Sequence, residues 1–195
     1  MEIKQTDEQR TLCVRTTTPV QELSNVMGRV YGRIAGVMQQ NGIQFAGAPF
    51  ALYHNMDMSA LDIEIGFPIA PADVERATVA IAGGGADGKS GTDGNGGADS
   101  KSGIDGNGGA DGAGDADSDR SSESLYVGSI PGGRYVTAKH VGSYETIENT
   151  YNAMTAYVQD QKLDVADWCY EVYLNSPEET PPEQLETQIY FPLTR

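Results

Sequence analysis

The sequence predicts an α+β domain in which one β-α-β-β unit occurs twice. Antiparallel strands form a sheet and two main helices pack on one side of it. Three observations predict this. FALYHN (50–55) recurs as YEVYLN (170–175) at an offset of 120. IEIGFPI (63–69) recurs as TQIYFPL (187–193) at an offset of 124. Each pair of strand-like runs follows a segment of helical periodicity, which itself follows a β-branched run. An internal duplication of this kind means two equivalent supersecondary units around a shared core.

Each unit opens with a strand, TLCVRTT (11–17) in the first and RYVTAKHV (134–141) in the second; both runs are rich in the β-branched residues that suit a pleated surface. A helix over roughly 20–40 follows, where Leu23, Val26, Met27, Val30, Tyr31, Ile34, Val37 and Met38 recur three and four apart. Asn41-Gly42 is a helix stop. The second helix covers 144–161, with Ile147, Tyr151, Met154, Tyr157 and Val158 on one stripe. The offset of 120 pairs Tyr31 with Tyr151 and Gly42 with Lys162. Two strands joined by a turn-rich loop close each unit. The four-residue change of offset falls in SPEETPPEQ, which is longer than its counterpart MDMSA. A pseudo-twofold axis between the units defines a cleft in which a ligand can sit.

The units span 1–82 and 125–195, as one domain. Between them, residues 83–124 hold 14 of the 24 glycines and include SGTDGNGGADSK followed at once by SGIDGNGGADGA. So little apolar surface cannot offset the entropy of ordering a chain, and the segment reads as a disordered linker outside the fold. A calcium loop is the sharper reading. It needs an oxygen ligand at position five and a bidentate Glu at twelve, and here position five is Gly and no Glu follows.

The net charge of −15 argues against a duplex-DNA surface, which needs clustered Lys and Arg. It suits cationic partners. No apolar run is long enough to span a membrane and MEIKQTDEQR has no signal-peptide plan, so the expectation is a cytoplasmic protein. Cys13 and Cys169 show neither metal spacing nor a disulfide framework. His54 and His140 have no companion at metal-ligand spacing, and SIPGGR (129–134) does not lead from a strand into a helix as a phosphate loop does. No metal and no cofactor is implied.

The second unit carries IPGGRYVTAKHVGSYETI (130–147), then Glu171 and Tyr173 in E-x-Y, then NSPEETP (175–181), then TQIYFPL. In this order they resemble the GyrI-like small-molecule-binding domain, which also forms the effector-binding half of AraC-type and MerR-type multidrug-responsive activators. The resemblance covers nearly the whole chain outside 83–124 and is strongest over 126–193. It implies a duplicated β-α-β-β fold with a ligand cavity between the units. It also implies that the E-x-Y glutamate, here Glu171, lies in that cavity and neutralises lipophilic cations. The regulators carry a helix-turn-helix domain for which this chain has no room, so the resemblance is to a stand-alone member without direct DNA binding.

Strand alternation gives Glu171 a physical reading of its own. Cys169, Glu171 and Tyr173 share one face, and Trp168, Tyr170, Val172 and Leu174 the other. The carboxylate is then either on a solvated face or on a cavity floor. A buried acid costs several kcal/mol unless paired, and a hydrophobic cation supplies the pairing. Its counterpart in the first unit is Ala51, so the cleft holds one acid and suits one off-centre cation. Tyr53 matches Tyr173 and faces the same cavity. Trp168 is core or a stacking wall, and Tyr190, which replaces Gly66, walls or fills the cavity. Tyr144 opens the second helix as a lid residue. Glu64, whose counterpart is Gln188, is a solvated edge position or a second pocket acid.

Three functions compete. The first is a sensor or sequestering protein for lipophilic cations. The second is a hydrolase of reactive electrophiles in which Glu171 activates water and Tyr173 orients substrate. The third is an interaction protein acting on a partner such as a topoisomerase through an acidic surface.

Overall fold

A computed structural model of the chain describes residues 1–83 and 123–194. Its strands are β1 (Glu2–Thr6), β2 (Gln9–Thr18), β3 (Phe50–Tyr53), β4 (Leu61–Pro68), β5 (Leu125–Ile130), β6 (Gly133–Val141), β7 (Cys169–Tyr173) and β8 (Glu186–Pro192). Its helices are α1 (Leu23–Gln40), α2 (Val74–Ala82) and α3 (Ile147–Asp160). All strands join one antiparallel sheet in the order β1-β6-β8-β7-β3-β4-β2-β5. The domain is α+β, with two equivalent halves meeting at the β3–β7 pair. Among the described residues no helix is long and apolar enough to cross a membrane.

Each half has one strand more than the β-α-β-β expectation, and the extra strands are exchanged. β1 pairs with β6 of the second unit, and β5 pairs with β2 of the first. EIKQT has three exposed positions and no clear apolar alternation, because an edge strand buries little. The third helix, α2, follows Pro71 at the end of the first unit. It buries Ala77 and packs beside β5.

The helices cover one face of the sheet. Val30, Ile34 and Met38 of α1 pack on Leu12, Val14, Ile63 and Ile65. Met154 and Val158 of α3 pack on Val136, Ala138 and Ile189. The other face carries its own cluster of Cys13, Phe50, Leu52, Ile130, Tyr135 and Tyr170, to which no helix contributes. The sheet curls toward this helix-free side. Ile130, at one edge of the strand order, and Thr6, at the other, line the same hollow. The turns that join β1 to β2 and β5 to β6 cross there. A Cβ on Gly132 would stand 2.6 Å from the backbone nitrogen of Glu8, so only glycine permits the crossing.

Glu123, expected within the insert, is buried. Its carboxylate accepts from Arg29 (Nη2···Oε1 2.8 Å), and its carbonyl accepts from Arg33 at 2.7 Å. These contacts tie the chain entering β5 to α1. The rest of the expected insert, 84–122, with its linker and calcium-loop readings, lies outside the described residues.

Candidate functional site

β7 lies at the centre of the sheet, and its alternation decides what each side chain meets. Cys169 and Glu171 point to the helix-covered face with Tyr173, and Tyr170 points to the helix-free face with Val172 and the neighbouring Trp168. Glu171 is 5% exposed and stands directly opposite Ala51 across the β3–β7 ladder. The pseudo-twofold axis therefore runs between an acid and a methyl group.

Tyrosine hydroxyls surround the carboxylate. Tyr151 of α3 donates to Oε1 at 2.6 Å, and Tyr173 donates to Oε2 at 2.6 Å. Tyr53 donates to Oε2 at 3.3 Å and lies 3.3 Å from the Tyr173 hydroxyl. The two shorter bonds have the length of charge-assisted O–H···O⁻ contacts. Burial nevertheless raises the Glu171 carboxyl above its ordinary value, with the three hydroxyls and the more distant His140 opposing the shift. Burial and the nearby carboxylate push the Tyr53, Tyr151 and Tyr173 hydroxyls upward, so all three remain donors. Among the described residues no Lys, Arg or His forms an ion pair with Glu171.

Two further rings complete the environment. Tyr31 of α1 meets Tyr173 edge to face at 6.5 Å and donates its hydroxyl to the Phe50 carbonyl. Tyr144, 39% exposed, lies edge-on to Tyr173 at 5.9 Å. It is the most exposed ring of this group.

Three residues expected in the same cleft lie elsewhere. Trp168 and Tyr190 are on the helix-free face, where Tyr190 stacks on Tyr170 at 4.2 Å and Trp168 on Tyr170 at 6.5 Å. The cause is register: Tyr190 pairs with Tyr170, so both rings share a face that Glu171 does not. Glu64 is neither a solvated edge residue nor a neighbour of Glu171. It is buried on the helix-free side, where it accepts from the Cys13 thiol at 3.1 Å and lies 3.6 Å from His54 Nε2. Burial, chiefly, and then the Glu64 charge hold the Cys13 thiol protonated.

Tyr151 lies on the apolar stripe of its helix, as a core position would, yet it makes one of the shortest bonds to Glu171. The signal was present in the duplication. Tyr31/Tyr151 and Tyr53/Tyr173 recur at the same offset of 120 as Ala51/Glu171, so four tyrosines flank the position where the copies differ.

Among solved structures the chain is similar to the C-terminal domain of EcmrR, with a TM-score of 0.66 at 16% identity, covering 100% of this chain and 96% of that one. It is also similar to EcmrR in a complex with DNA, at a TM-score of 0.64 and 16% identity; the match covers 98% of this chain but only 56% of EcmrR. A hydrolase from Listeria innocua matches at a TM-score of 0.60 and 15% identity, over 99% of this chain and 91% of that one. SAV2435 bound to tetraphenylphosphonium matches at a TM-score of 0.54 and 11% identity, over 99% and 93%. At these identities the likeness is one of fold. No curated protein matches the sequence. The family profile of the GyrI-like small molecule binding domain matches residues 1–194, and with the duplicated sheet described above it establishes that the chain belongs to the GyrI-like small-molecule-binding domain family.

Proposed function

We propose that this small-molecule-binding domain takes a lipophilic monocation at Glu171 and acts as a sensor or a sequestering protein. The observation that carries this is a buried carboxylate with three hydroxyl donors and no cationic side chain paired to it among the described residues. An ionised acid in such a place is under-compensated, and a desolvated cation restores the balance. Tyr173, Tyr31 and Tyr144 offer ring faces and edges beside the acid. Cation–π attraction adds on the order of 0.5–2 kcal/mol per ring. Tyr144 moves aside as the ligand enters. SAV2435, of the same fold, binds tetraphenylphosphonium, a cation of this class.

Titration of tetraphenylphosphonium into wild type and Glu171→Gln tests the reading. Affinity is expected to fall roughly tenfold or more in the variant, since each tenfold is about 1.4 kcal/mol. The uncharged triphenylphosphine oxide is expected to bind both proteins alike. Equal tetraphenylphosphonium affinity in both proteins removes the cation site.

A second reading has one observation in its favour. The raised Glu171 carboxyl, beside tyrosines that can hold a water or a substrate, suits a general base, and a hydrolase shares the fold. Turnover of a panel of strained or electrophilic small molecules, present in wild type and absent in Glu171→Gln, would favour it. A third, an interaction surface for a protein partner, rests on the acidic charge alone.

A further inference from the structure

We propose that the curled, helix-free face of the sheet holds a second ligand site, separate from Glu171, that takes a small aromatic amine. A hollow of about 180 Å³ lies at the end of the sheet where the β1–β2 and β5–β6 turns cross. Its apolar wall includes Phe50, Tyr170, Val172 and Tyr190, and its rim includes Asp7 and Gln9. Glu171 does not line it.

Size sets the first limit. An apolar cavity of about 150 Å³ accepts benzene, whereas drug-sized ligands need roughly 300–1,000 Å³. One or two fused rings fit this hollow, and four phenyl groups around phosphorus do not. The wall sets the second limit. Tyr170 and Tyr190 are locked in a parallel pair at 4.2 Å and 5°, and Tyr135 braces both edge-on at 5.4 and 5.9 Å. A wall so braced presents fixed aromatic surface to a flat ligand.

Charge sets the third. Asp7 is the one charged residue of the lining, and it makes no ion pair among the described residues. A ring seated against Tyr170 and Tyr190 can extend a short arm with an ammonium group to Asp7, and Gln9 offers an amide oxygen beside it. The pseudo-twofold copy of the site lacks the Tyr190 ring wall. Gly66 replaces Tyr190 there, and a Cβ at that position would fall on the Leu12 carbonyl oxygen and 2.7 Å from Cys13 Cβ.

The protein carries its own reporter. Trp168 is its single tryptophan and stacks on Tyr170. The experiment is a titration of 2-phenylethylamine followed by Trp168 emission, with 2-phenylethanol and propylamine as probes lacking the charge and the ring. The amine is expected to give a saturable change with a Kd below about 1 mM, near 4 kcal/mol of binding. Asp7→Asn, on an exposed turn, is expected to weaken the amine at least threefold and leave the alcohol unchanged. Tyr190→Ala is expected to weaken both, and Glu171→Gln neither. A non-saturable response, an amine affinity that ignores Asp7→Asn, or a response lost in Glu171→Gln would overturn the proposal. Because tetraphenylphosphonium binding is read separately, failure of either site leaves the other standing.

Discussion

Glu171 is a charge whose surroundings resist it. Its folded carboxyl is raised above the ordinary 4.5, with burial as the leading cause. The folded state therefore holds the proton to higher pH than the unfolded chain does. Stability is fully present below the unfolded value and is lost as pH rises through the folded one. Glu171→Gln keeps the shape and carries no such proton. Its melting temperature minus that of wild type is expected to grow as pH rises from about 4 to 8, by roughly 2–4 °C for each kcal/mol. Thermal melts across that range check it, and a gap that stays flat would show that the acid ionises without penalty. By the same linkage, tetraphenylphosphonium should bind more tightly as pH rises through this window, with one proton released. Alternation along WCYEVYLN was enough to place Glu171 and Tyr173 on one face, and it equally placed Trp168 on the other. What it could not give was the thickness of the sheet between them, so residues from both faces were assigned to a single cleft. Tyr151 was hidden for a different reason: a tyrosine on an apolar stripe looks the same in sequence whether its hydroxyl is idle or bonded.

At the scale of elements, the strands and helices that bury a whole face were legible, and those that do not were missed. β2, β4 and β6 each hold a run of buried residues, β8 buries Thr187, Ile189 and Pro192, and α1 and α3 repeat three and four apart. Among the described residues β1 and β5 lie at the sheet edges, where one side of the backbone lacks a strand partner and the residues need not be apolar. Their exchange between units depends on contacts made far along the chain, which no local pattern records. The helix ends carry a prediction of their own. Two residues past the end of α1 stands Gly42, with φ of +63°, and two past the end of α3 the equivalent Lys162, with φ of 50°. A left-handed residue other than glycine costs about 1–2 kcal/mol, and glycine's own entropy returns part of that. Lys162→Gly is expected to stabilise the protein by about 0.5–1 kcal/mol, read as a higher denaturation midpoint with an unchanged slope. The opposite change at Gly66 should be harmful. Gly66→Ala forces the β2–β4 ladder apart at Cys13 and is expected to cost about 1–3 kcal/mol or more by the same measurement.

At the scale of the whole molecule, the two halves supply the same tyrosines to the axis and differ in one acid. Tyr53 and Tyr173, and Tyr31 and Tyr151, are related pairs, while Ala51 faces Glu171 in register. The fold stands without a carboxylate at position 51, and the position itself is fully buried. Adding one there puts two acids across a single rung of the ladder, where both cannot ionise cheaply. Ala51→Glu is therefore expected to lose about 3–5 kcal/mol at neutral pH, the cost of an uncompensated buried charge, and to recover as the pH is lowered. Moving the acid is a different matter. In Ala51→Glu with Glu171→Ala the carboxylate meets Tyr31, Tyr53 and Tyr173 in place of Tyr151, Tyr173 and Tyr53. If the tyrosines at the axis make the site, the double variant should fold, and should bind tetraphenylphosphonium within about tenfold of wild type, or 1.4 kcal/mol. A double variant that melts normally yet binds no cation would locate the site in what the halves do not share. The first candidate is Tyr144, which opens the 3-10 turn before α3 and lies edge-on to Tyr173, whereas the matching turn before α1 opens with the apolar Val20.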